Sequence, residues 1–113
     1  MREIRPAEAW SLLRKWEEDR TVLNCILDFP GLHLVMRGRL EPLSSNRIEL
    51  GSDDRSCLFG IDIPPNAKFV LVGPLPEMRD LPPNETFDLA LDIYLPTSRA
   101  EEFKIGLIAH KTN

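Results

Sequence analysis

Apolar side chains recur every three to four residues as far as Arg20 and every second residue after it. That switch of period constrains the fold more than any other feature. A repeat near 3.6 belongs to a helix with one buried face, and a repeat of 2 to a half-buried strand. The spacing predicts a helix over 6–20. Pro6 suits the first helical position, where its missing N–H would have had no partner, and Glu8 meets the positive end of the dipole. Ala9, Leu12, Leu13 and Trp16 stand at i, i+3, i+4 and i+7 with Trp10 beside them, so one stripe is apolar. Glu17, Glu18 and Asp19 oppose the dipole, so tertiary packing of the tryptophans must hold this helix. The stripe suits two uses: packing on the sheet, or a partner or dimer contact through Trp10 and Trp16.

Seven short strands are expected after the helix, with inward sets that alternate against polar neighbours. These sets are Leu23, Cys25, Leu27 and Phe29; Leu32, Leu34, Met36 and Leu40; Ile48 and Leu50; and Cys57, Phe59, Ile61 and Ile63. Residues 68–73 are apolar with little interruption. Phe87, Leu89, Leu91, Ile93 and Leu95, then Phe103, Ile105, Leu107 and Ala109, show the clearest alternation. Such alternation belongs to antiparallel sheets with one wet face. Pro30-Gly31 predicts a hairpin turn. Nine of the ten prolines fall at strand ends or in connections, where no ladder N–H is needed. Four of them lie in 73–85, read either as a rigid cover over a sheet edge or as a partner-binding loop.

The expectation is a mainly β (α+β) fold, an N-terminal amphipathic helix packed on a small antiparallel β-barrel or sandwich. It forms a single domain over 1–113: the helix (1–20), a five-strand meander (21–73), the proline-rich loop (74–85) and a C-terminal hairpin (86–113). At 113 residues the chain is long enough to bury a core without a disulfide or metal.

The formal charge of −4 argues against a generally basic nucleic-acid or membrane-surface binder. No apolar run is long enough for a membrane span, and no signal peptide follows the charges of Met1–Glu8. Cys25 and Cys57 form no paired motif; they read as buried free thiols, with a disulfide the alternative if their strands are neighbours, and a cytoplasmic location is expected. Asn84-Glu85-Thr86 reads as a chance glycosylation match.

Catalytic and metal-binding candidates are sparse, and no cofactor is expected. His33 and His110 face outward while both cysteines face inward, so no metal set or Cys–His dyad converges. Asp88 and Asp92 share a strand face but stand roughly 13 Å apart, too far to share a proton. The one local charge feature is Arg37, Arg39 and Arg47, a candidate anion contact that Glu41 and Glu49 are placed to neutralise.

Two partial family resemblances exist. Residues 21–73 resemble, as a pattern, an Sm-like domain, with Gly38-Arg39-Leu40 similar to that family's Gly-x-Leu bend. The loops that read RNA in the family are replaced by Glu41-Pro42-Leu43-Ser44-Ser45-Asn46 and Ile63-Pro64-Pro65-Asn66, so its RNA-binding residues do not carry over. Asp54-Arg55-Ser56-Cys57-Leu58-Phe59-Gly60 resembles the Asp-x-Ser-x-x-Gly element of PilZ barrels with one residue too many, which reverses the strand face. The functional expectation is a non-catalytic binding or assembly module with a homo-oligomeric or protein partner. The alternative is an Sm-like or other anion-binding barrel using the arginines.

Overall fold

The computed structural model describes residues 2–73, 87–96 and 103–110. In chain order the elements are β1 (Arg2–Ile4), α1 (Pro6–Glu18), β2 (Leu23–Phe29), β3 (Leu32–Leu40), β4 (Arg47–Ser52), β5 (Leu58–Asp62), β6 (Lys68–Val72), β7 (Phe87–Leu95) and β8 (Phe103–His110). The strands form one antiparallel sheet in the order β1-β6-β7-β8-β2-β3-β4-β5. This is an open sheet and not the expected barrel or sandwich, since among the described residues no ladder joins β1 to β5.

The strand count is eight where seven were expected. Arg2–Ile4 pairs antiparallel with β6, setting Ile4 opposite Phe69. Three residues, two of them charged, are too few to display a period, so this strand has no signature in the hydrophobic pattern. The expected meander also ends one strand early. β2 to β5 run in order, but β6 leaves to lie between β1 and β7. The five consecutive strands implied by the Sm-like resemblance therefore do not form one unit.

Helix α1 starts on Pro6 and has no side-chain cap at Arg5. It ends at Glu18, two residues before the expected Arg20, in a Schellman arrangement. The Arg20 N–H donates to the Glu17 carbonyl at 3.2 Å and the Thr21 N–H to the Trp16 carbonyl at 3.0 Å. Arg20 takes the left-handed conformation there (φ 53), usually a glycine position, and is tied down from both ends. Its Nη1 donates to the Leu40 carbonyl at 3.0 Å, and Arg39 Nε donates to the Arg20 carbonyl at 3.0 Å. The helix end is thus fixed to β3.

One face of the sheet and the helix stripe make the core. Ala9, Leu13 and Trp16 meet Leu23, Cys25, Leu27, Leu40, Ile48, Leu50, Leu91, Ile93, Ile105 and Leu107. These are the strand positions that the alternation placed inward. Helix α1 packs on both β6 and β3. These strands stand second and sixth in the sheet, so the sheet curls under the helix.

Two inward expectations fail, for one physical reason. Leu32 and Leu34 are exposed, and Cys57 is exposed as well. Period 2 tells which face a side chain takes, but burial also needs something to cover that face. The first half of β3 projects past β4, which pairs only with Gly38, Arg39 and Leu40. Cys57 precedes β5 in the β4–β5 turn, where its Sγ lies 4.0 Å from Met36 Sδ.

The two thiols are consequently unlike. Burial pushes Cys25 up to about 12, whereas Cys57 is exposed. Iodoacetamide at mildly alkaline pH is expected to add one carbamidomethyl group to the native chain, on Cys57, and a second only after unfolding, as read by peptide mass mapping. Equal labelling of both would contradict the buried position of Cys25.

Candidate functional site

The arginine candidates do not converge. Arg39 pairs with Gly51 across the β3–β4 ladder, and Gly51 is four residues from Arg47, or roughly 13 Å along the strand. Each is also already engaged. Arg39 Nη1 lies 2.6 Å from Asp53 Oδ1, while Arg47 Nε is 2.9 Å from Glu49 Oε1 and its Nη1 3.0 Å from Asp62 Oδ1. These bonds hold the Arg47 guanidinium still more firmly protonated. Glu41, expected to serve this patch, instead meets Arg55 at 3.2 Å. Arg37 is exposed on the free half of β3, beside Asn24.

The segment that resembled a PilZ element is a turn closed by Asp54. The Asp54 carboxylate accepts from Ser56 Oγ at 2.6 Å, Ser52 Oγ at 2.8 Å and the Ser56 N–H at 3.0 Å. These donors, the Ser56 hydroxyl first, bring its pKa down to about 2.

Of the carboxylate pair, Asp92 is described and the Asp88 side chain lies outside the described residues, as does that of His110. Asp92 faces Val70 on β6 and Gly106 on β8. Burial raises its pKa, and Lys104, with Nζ 3.9 Å from Oδ2, only partly offsets this. A carboxyl whose folded pKa lies above its unfolded value binds more protons in the native state. The resulting stabilisation is complete below the unfolded pKa and is lost as pH rises through the folded one. Asp92→Asn should therefore match wild type near about pH 3 and exceed it at neutral pH, measured by urea unfolding across that range. A variant less stable at neutral pH would mean that the Lys104 pair outweighs burial.

The two tryptophans part company. Trp16 is buried in the core, out of reach of any partner, while Trp10 is half-buried between two adjoining clefts. One, of about 240 Å³, is walled by Pro6, Trp10, Ile63, Pro64, Pro65 and Phe69. The other, of about 520 Å³, is walled by Trp10, Arg14, Glu17, Glu18, Leu43 and Ser44. Ser45 borders both. The wall facing the helix is built from two connections pinned together where the Ile63 N–H donates to the Asn46 carbonyl at 2.7 Å, and the second is closed on itself by the Ala67 N–H donating to the Pro64 carbonyl at 3.1 Å. Trp10 could be picked out from the sequence; the opposite wall comes from segments far along the chain.

The second exposed feature is the free half of β3. Residues 32–37 pair with β2 on one side and with no described strand on the other. Backbone groups alternate between the two edges of a strand. The Glu41 N–H donates to Glu49 on the β4 side, so His33 and Val35 direct their N–H and C=O to that same, vacant edge. Leu32, Leu34 and Val35 are 50%, 43% and 60% exposed.

No protein-family model matches the chain, and comparison with curated proteins and with solved structures gives no match. Among the described residues no helix is long and apolar enough to cross a membrane.

Proposed function

We propose that this chain is a non-catalytic assembly module, one domain that associates with a second copy of itself along the vacant edge of β3. The observation that carries the reading is the combination at residues 32–37 of strand backbone with no partner among the described residues and three exposed apolar side chains. An edge of this kind is a template for another strand, and soluble β proteins ordinarily guard it with lysine, proline or a bulge. Here it carries Leu32, His33, Leu34, Val35 and Met36, with Arg37 the one permanent cation at the end next to Gly38. A second copy presents the same edge, and antiparallel pairing about a two-fold axis satisfies both at once. The two free cysteines suit a reducing compartment, the cytoplasm.

Sedimentation equilibrium tests this directly. Wild type is expected to be dimeric at roughly 50 μM, and Val35→Lys monomeric with unchanged melting temperature, because Val35 is exposed in the monomer and lysine is a natural edge guard. A wild type that stays monomeric at roughly 200 μM would end the proposal.

A further inference from the structure

We propose that the trough beside Trp10 binds an extended proline-rich peptide bearing basic residues at one end. The trough is independent of the β3 edge: its walls are α1 and the connections around 43–46 and 63–65.

Its length comes first. The two clefts adjoin at Trp10 and Ser45 and follow one another along the helix. From Pro6 to Glu18 the helix wall rises roughly 18 Å at 1.5 Å per residue. A polyproline II strand advances 3.1 Å per residue, so about six of its residues span that wall.

The surface chemistry differs between the two ends. Around Pro6 the trough is walled by Trp10, Pro64 and Pro65, with the buried Phe69 beneath. Proline rings pack on such surfaces, and a polyproline strand arrives already ordered, losing little conformational entropy on binding. Its carbonyls are free to accept hydrogen bonds, and Ser44 and Ser45 border the second cleft, Ser45 the first as well. The far end carries Glu17 and Glu18 against one cation, Arg14, whose Nε donates to the Trp10 carbonyl at 3.4 Å. The net charge there is 1 − 2 = −1, on a chain of −4 overall. A cationic residue is therefore favoured at that end. Trp10 and Glu18 lie about 12 Å apart along the helix, which places it about four polyproline residues beyond the proline that meets the indole.

The occupant's charge and backbone are both testable. The probe is a synthetic peptide of about six prolines followed by two arginines, titrated into the full chain while tryptophan fluorescence is followed. Trp10 reports the trough, and buried Trp16 supplies a constant background. Saturable binding with Kd of roughly 10–100 μM is expected. Glu17→Lys with Glu18→Lys should weaken it about tenfold at low salt and reverse the preference toward a peptide ending in two glutamates. Because Glu18 is exposed and Glu17 half-exposed, this variant keeps the fold. Trp10→Phe should lower affinity several-fold while preserving the helix. Val35→Lys should bind as wild type does, separating this site from self-association. No saturation at roughly 1 mM would overturn the proposal. So would equal binding of a glycine-serine peptide with the same two arginines, or a signal that depends on protein concentration without peptide.

Discussion

Gly38→Ala is expected to destabilise the fold by about 3 kcal/mol or more, the upper range for overpacking of a buried site. A Cβ on Gly38 would lie 2.0 Å from the Gly51 carbonyl oxygen and 2.7 Å from its carbon. These are backbone atoms of β4, and no rotamer change can clear them. The strands would have to part where Gly38, Arg39 and Leu40 pair with Ser52, Gly51 and Leu50, and those pairs are the ladder that carries β4 and β5. Gly60→Ala is the control. Its Cβ would meet Arg47 Nη2 at 2.5 Å, but that is the partly exposed tip of a flexible side chain, so a loss under about 1 kcal/mol is expected. Urea unfolding of the two variants measures the contrast, and similar midpoints would refute the close approach at Gly38.

Leu13→Ala should cost about 3–4 kcal/mol, within the range for emptying a fully buried leucine site. Leu13 has no exposed surface and sits midway along α1, between Ala9 and Trp16 on the buried stripe. The helix has little else to hold it. It is 13 residues long, its N-cap offers no side-chain bond, and Glu17 and Glu18 oppose its dipole. Leu12→Ala, at a half-buried neighbour, should cost only about 1 kcal/mol. Equal losses at the two positions would place the buried stripe elsewhere.

Face assignment along each long strand was legible in the sequence, because it depends only on local alternation. The sets on β2, β4 and β8, and Leu89, Leu91, Ile93 and Leu95 on β7, lie in or against the core as read, while the Phe87 side chain lies outside the described residues. Partner choice was not legible, and it explains most of the differences. Leu32 and Leu34 face inward by parity yet lie in the open, because β4 stops pairing at Gly38. Arg47 finds Glu49 two residues away, a local pairing visible in the sequence. Its second carboxylate, Asp62, and the Asp53 that engages Arg39 required the strand order. The Gly38-Arg39-Leu40 segment, noticed for its resemblance to a bend, is the place where β3 acquires a second neighbour. The Trp10 trough was half legible: the helix supplies one wall with a regular spacing, and the other depends on tertiary folding.

The sheet order also bears on how such a chain can be assembled during synthesis. β8 follows every other strand in the chain, yet it stands between β7 and β2, near the middle of the sheet. Before it emerges, β1-β6-β7 and β2-β3-β4-β5 are two separate half-sheets, each with a bare inner margin. β8 joins them by pairing Leu23 with Ala109 on one side and Leu91 with Leu107 on the other. Cooperative pairing of the two halves therefore waits for β8, and until it is made the growing polypeptide offers apolar strand margins to chaperones and to its neighbours.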